Sequence, residues 1–200
     1  MTRARTLLYG LLALTMAYVS VQQHVISNVP WNLLPLYTLN KALAWTGLLL
    51  LAFIFSLRAL SIRGWLTEVW MQERRALGKS AFNLLGLHAL FTLLLFRTEY
   101  GMAFLWKEGN IRVEGIVSIV LGSLALGLLA WYSKAAGSTA GRPVLFQRLP
   151  HLLLLLALMH TTSWGLGSWF TSAAWEGALP PVSLMGALTA LAGLWMRRLR

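Results

Sequence analysis

Four histidines, His24, His88, His151 and His160, are the side chains in this 200-residue chain best suited to chemistry. The alternatives are thin. There is no cysteine, which removes disulfides, thiolate ligands and cysteine-held iron–sulfur clusters. The six carboxylates, Glu68, Glu73, Glu99, Glu108, Glu114 and Glu176, lie between apolar runs or at their edges. That disfavours a carboxylate proton relay or cation transporter. No Gly-x-Ser-x-Gly or His-Glu-x-x-His occurs, so a hydrolase has neither nucleophile nor metal signature. Two imidazoles at one depth on neighbouring apolar helices are what ligation of a b-type heme from opposite faces requires, whereas no spacing here specifies a histidine–histidine–glutamate metal site. The plain alternative is a hydrogen bond between helices, worth about 1–2 kcal/mol in a membrane.

The elements that must position these side chains are membrane helices. The chain is 58% hydrophobic and 12% charged, with mean hydropathy +0.65, whereas a soluble domain carries about a quarter charged residues. Apolar runs fall at residues 7–26, 37–57, 77–96, 113–132, 149–168 and 182–196. Runs near 20 residues match a hydrocarbon core of about 30 Å at about 1.5 Å per residue. The expected fold is therefore all-α, a polytopic membrane bundle of about six transmembrane helices forming a single domain over residues 1–200. Asn28, Pro30 and Pro35 are expected in the first loop, with Gly137 to Pro143 in the fourth and Gly177 to Pro181 in the fifth. Arg3 and Arg5 precede a leucine-rich stretch as in a signal peptide. No small-x-small cleavage site follows, so the run is read as the first helix.

Lysine and arginine orient the bundle. With a cytoplasmic N-terminus, the inner segments hold Arg3, Arg5, Arg58, Arg63, Arg74, Arg75, Lys79, Lys134, Arg142, Arg148, Arg197, Arg198 and Arg200, thirteen of the seventeen basic residues. The outer side holds Arg97, Lys107 and Arg112, with Lys41 just inside the second span. This is the positive-inside pattern, with both termini cytoplasmic and an inner-membrane, multi-pass location in a bacterium. It also accounts for the net charge of +11 without nucleic acid. Trp31, Trp106, Trp164, Trp169 and Trp175 fall toward the outer face, and Trp65, Trp70, Trp131 and Trp195 toward the inner, as an aromatic belt does.

Orientation gives the histidines depths. His88 lies about eleven residues into the third span and His160 about twelve into the fifth, both outward-running, so the two share a level. These are the expected axial ligands. His151 is nine residues before His160, half a turn off, and points to the opposite side of its helix near the cytoplasmic interface, which makes it the weaker candidate. His24 sits at the outer end of the first span beside Gln22 and Gln23 and is expected to be structural.

The third span reads Arg74-Arg75-Ala76-Leu77-Gly78-Lys79-Ser80-Ala81-Phe82 and then Leu87-His88. It resembles the ferric reductase-like transmembrane domain, nearest the heme-binding membrane subunit of the periplasmic methionine sulfoxide reductase system. Asn40-Lys41-Ala42-Leu43 with Gly47 is similar to that family's opening of the preceding span, and Arg148-Leu149 with Leu156-Ala157-Leu158-Met159-His160 to its second histidine helix. The likeness covers roughly residues 37–165. It implies a heme-binding core over residues 37–168 and heme b held by His88 and His160. A second heme is less expected, since the position of the family's other histidine is Gln147, directly before Arg148-Leu149.

The function so implied is electron transfer, as one component of an oxidoreductase system rather than a complete enzyme. No dinucleotide fingerprint is present, so electrons would arrive from a quinol or a flavoprotein and leave to a redox partner protein at the outer face. FMN or a quinone is the further cofactor to consider. Arg74, Arg75 and Lys79 are read first as topogenic charges, and could alternatively hold a flavin phosphate or an anionic membrane lipid. The alternative is a heme-free structural or assembly subunit of a membrane complex.

Overall fold

The computed structural model describes residues 2–98, 102, 104–107, 110–135, 144–171 and 175–198. Glu99, Glu108, Arg142, Arg200 and the loop 137–143 lie outside the described residues, as do the side chains of Lys107, Gln147 and Glu176. Among the described residues there are six α-helices: α1 (Arg3–Ser20), α2 (Leu39–Ile62), α3 (Val69–Leu95), α4 (Val113–Ala135), α5 (Val144–Trp169) and α6 (Val182–Arg198). Two short strands, β1 (Trp106–Lys107) and β2 (Asn110–Ile111), pair antiparallel in the connection before α4, a small hairpin that the apolar pattern did not announce.

Five stretches are long and apolar enough to cross a membrane: Arg3–Ile26, Trp31–Ile62, Val69–Leu95, Val113–Lys134 and Arg148–Trp169. The sixth, α6, has 17 residues. At about 1.5 Å per residue it is roughly 25 Å long, just short of a typical hydrocarbon core.

The helices outrun the apolar runs because polar residues at their ends are still good helix formers. Helix α3 starts at Val69, two turns before Leu77, so Arg74, Arg75 and Lys79 are carried on the helix and not on a preceding loop. Pro35 likewise is not in the first loop. It opens a π-helical turn (Leu34–Thr38) that runs straight into α2, where its missing N–H costs nothing. The bend between α1 and α2 is made by Asn28, which adopts φ 54°, a left-handed conformation that asparagine tolerates.

Helix α2 is the centre of the bundle, with 72% of its most apolar window buried against 17% for α1, α3 and α4. A helix that is apolar all round is one that other helices surround, and α1, α3 and α6 pack on it. Small residues let the backbones close. Leu85 of α3 lies over Gly47, where a Cβ would come 2.7 Å from its Cγ. On α6, Gly193 meets Ala52 and Leu154, and Gly186 meets Thr161. Van der Waals contact at such small residues drives helix association where both surroundings are apolar. Buried hydroxyls add cross-links: Thr15 Oγ1 lies 2.6 Å from Thr46 Oγ1, and the Trp45 indole N–H donates to Thr189 Oγ1 at 3.2 Å.

These contacts also give the helix directions. Thr15 pairs with Thr46, Asn40 with Thr92, Phe53 with Trp70, Ser118 with His160 and Trp169 with Ser183, so each chain-neighbouring pair is antiparallel. Helix α6 runs parallel to α2, from Thr189 beside Trp45 to Arg197 beside Phe55. Consequently α1 begins and α6 ends at one end of the bundle. Arg3, Arg5, Arg58, Arg63, Arg74, Arg75, Lys79, Lys134, Arg148, Arg197 and Arg198 gather toward that same end.

Candidate functional site

His88 and His160 face each other across the bundle. Helix α3 carries His88 and α5 carries His160, and the ring centres are 6.5 Å apart with the planes at 72°. Each ring is held by the helix beside it. The His88 Nδ1 lies 2.8 Å from Asn40 Oδ1 and 3.3 Å from the Asn40 carbonyl, both on α2. The His160 Nδ1 lies 2.7 Å from the Ser118 carbonyl and 3.0 Å from Ser118 Oγ on α4.

A carbonyl oxygen only accepts, so Nδ1 must carry the proton in both rings. The orientation of the Asn40 amide is set in turn. Thr92 Oγ–H donates to the His88 carbonyl at 2.8 Å, leaving its oxygen to accept from Asn40 Nδ2 at 3.1 Å, and this turns Oδ1 toward His88. Both imidazoles are therefore the Nδ1–H tautomer with the lone pair on Nε2. Among the described residues nothing hydrogen-bonds either Nε2.

That arrangement suits a metal held between two imidazoles. Metal-bound histidines as a rule donate the other ring N–H to a carbonyl or carboxylate, which fixes tautomer and ring direction. A metal bound by both rings would need their centres roughly 6 Å apart, which the 6.5 Å separation allows. Among the described residues no group of three or more histidine, cysteine or acidic side chains converges. A heme site would need only this pair of ligands. Heme fits the donor set.

The other two histidines are elsewhere. His24 is buried, with Nδ1–H donating to the Val29 carbonyl at 2.7 Å and Nε2 accepting from Thr38 Oγ at 2.7 Å. Its ring stacks on Trp31 with centres 4.4 Å apart. With both nitrogens engaged it ties the α1–α2 connection together. His151 lies two and a half turns before His160 on α5 and faces α6, where the Arg197 N–H donates to the ring at 3.3 Å from Nδ1 and 3.4 Å from Nε2. Arg197 is buried and also donates to the Phe55 carbonyl at 3.0 Å. The structure thus brings His88 and His160 together and leaves His24 and His151 at opposite ends.

Beyond His160, toward the end of the bundle away from the basic residues, Arg112, Glu114, Ser163, Trp164, Gly167 and Ser168 line a cavity of about 420 Å³. Arg112 and Glu114 form an ion pair at 2.8 Å, the guanidinium lies 4.5 Å from the Trp164 ring centre, and Phe104 stacks on Trp164 at 3.9 Å. Ser163 Oγ donates to the His160 carbonyl at 2.9 Å, so this polar pocket starts one turn from the histidine pair.

Three contributors escaped reading by residue type: Asn40, Ser118 and Gly122. For Ser118 and Gly122 the one signal was their spacing as small residues on an apolar helix, which marks close helix contact, whereas Asn40 had stood out only as part of the motif that opens the second span. Gly122 supplies the room for the His160 ring, which a Cβ there would approach to 3.0 Å at Nδ1 and 3.1 Å at Cε1.

Fold and site together define an all-helical apolar bundle with a facing, half-buried histidine pair. Neither a protein-family model nor a curated protein matches the chain.

Proposed function

We propose that this chain is a multi-pass membrane subunit that binds one b-type heme through His88 and His160 and carries electrons across part of the membrane. The observation that carries this reading is the imidazole pair, 6.5 Å between ring centres, with each Nδ1–H committed to a neighbouring helix. The likeness of the third and fifth helices to the ferric reductase-like transmembrane domain, nearest the heme subunit of the periplasmic methionine sulfoxide reductase system, supports the same reading. The bundle lies in a bacterial inner membrane with α6 as a sixth, short span, and both termini face the cytoplasm, because that puts the basic helix ends inside.

Heme supplies the one-electron chemistry when bound; the protein supplies ligands, orientation and an apolar surrounding. His88 and His160 offer their Nε2 lone pairs. Asn40 and the Ser118 carbonyl hold the two tautomers. The surrounding helices keep bulk water from the pair and lower the local dielectric, which sets the energy of a charge change there. Electrons enter from a quinol or a flavoprotein and leave to a partner protein at the outer face, the side on which the Arg112–Trp164 cavity opens.

The test is an absorption spectrum of the detergent-solubilised protein. A Soret band with a sharp reduced α-band is expected, and His88→Ala or His160→Ala should abolish it. A colourless protein after heme supplementation, still folded and still co-purifying with partners in both variants, would instead identify a heme-free assembly subunit.

A further inference from the structure

The two histidines are held differently. His160 donates to a backbone carbonyl, that of Ser118, which no substitution removes. His88 donates mainly to a side-chain oxygen, Asn40 Oδ1 at 2.8 Å, with the Asn40 carbonyl a longer contact at 3.3 Å, and that amide is locked by Thr92, whose hydroxyl returns to the His88 carbonyl. The three residues form a closed loop: imidazole to amide, amide to hydroxyl, hydroxyl to the histidine's own backbone. Asn40 is buried while His88 and Thr92 are half-buried, so the amide at the centre of the loop is the part shielded from competing water. Hydrogen bonds of this kind gain strength in a low dielectric and polarise one another.

We infer that Asn40 is the positioning residue that sets how strongly His88 donates to a bound iron, and hence the reduction potential of the site. The inference rests on the heme reading above. An acceptor on Nδ1–H gives the ring imidazolate character and makes Nε2 a better donor, which favours ferric over ferrous iron. A neutral amide is an acceptor of middle strength. A carboxylate in its place pulls harder, and an alkyl group leaves only the longer contact to the Asn40 carbonyl at 3.3 Å. Thr92 acts one step further out, by aiming the amide.

The experiment is redox titration of the heme-loaded, detergent-solubilised protein and its Asn40→Asp, Asn40→Leu and Thr92→Val variants, with heme affinity measured alongside. Asn40→Asp should lower the midpoint potential and Asn40→Leu raise it. Each shift should be about tenfold in the one-electron reduction equilibrium, or 59 mV. Thr92→Val should shift it in the Leu direction by less. Heme affinity in Asn40→Leu should fall about 10–100-fold, the usual effect of losing such a partner. Should Asn40→Leu fail to fold, the Asp and Val variants still carry opposite signs. A merely structural asparagine predicts weakened heme in all three with an unmoved potential, or shifts of one sign, and either result overturns the inference. A wild-type protein that binds no heme overturns the parent reading and the inference with it, whereas heme binding with an Asn40-independent potential overturns the inference alone.

Discussion

The His160 ring lies against the backbone of α4 at Gly122, so close that a single added methyl would stand 3.0 Å from Nδ1. The same turn supplies the carbonyl of Ser118, 2.7 Å from that nitrogen. One turn of α4 therefore both holds the ring and gives it room, although α4 carries no histidine itself.

Gly122→Ala should push the imidazole away from Ser118 and disturb its partnership with His88. If the proposed heme is bound, its retention after purification is expected to drop several-fold, and Gly122→Val should abolish it, while circular dichroism keeps the helical signal of the parent. Unchanged heme content in Gly122→Val would refute this account of the α4 contact.

Gly193 is the corresponding close approach at the far side of the bundle, where a Cβ would lie 3.0 Å from Ala52 Cβ and 3.1 Å from Leu154 Cδ1. Gly193→Leu should wedge α6 off α2 and α5. Overpacking of this kind costs about 1–3 kcal/mol, which thermal unfolding in detergent would read as a lowered transition. Gly127, with nothing within 4 Å of its would-be Cβ, should accept alanine without loss.

His24→Ala removes the bonds to Val29 and Thr38 and the stack on Trp31. Leaving a buried hydroxyl without its acceptor costs about 1–3 kcal/mol. The variant should therefore unfold at lower temperature and yet keep the heme spectrum of the parent. A lost Soret band with unchanged thermal stability would instead make His24 a ligand.

Membrane sidedness can be read independently. Reporter fusions after Arg198 and ahead of Arg3 should both behave as cytoplasmic, and one placed in the Gly177–Pro181 connection should behave as external. An external C-terminus would show that α6 does not cross.

Much of the bundle was legible because membrane helices advertise themselves through apolar length, and loops through glycine, proline and the basic residues around them. Even so, Pro35 sits on a helix and not in a loop, because a proline in a first turn breaks no bond. Arg197 was legible as a topogenic charge but is buried, its guanidinium against His151 and the Phe55 carbonyl. Residue type could not reveal that, since burial depends on which helix lies opposite.

The histidine pair divides along the same line. Sequence alone determined that His88 and His160 share a depth, since rise per residue and helix direction follow from the apolar runs and their charges. Rotation about each helix axis, and the neighbour met there, are matters of packing. Only the tertiary structure decided that the two rings face each other, that Asn40 and Ser118 accept hydrogen bonds from them, and that Gly122 makes the space. Close contact between apolar helices is governed by the shape of small residues and a few hydrogen bonds, and these carry no periodic signal.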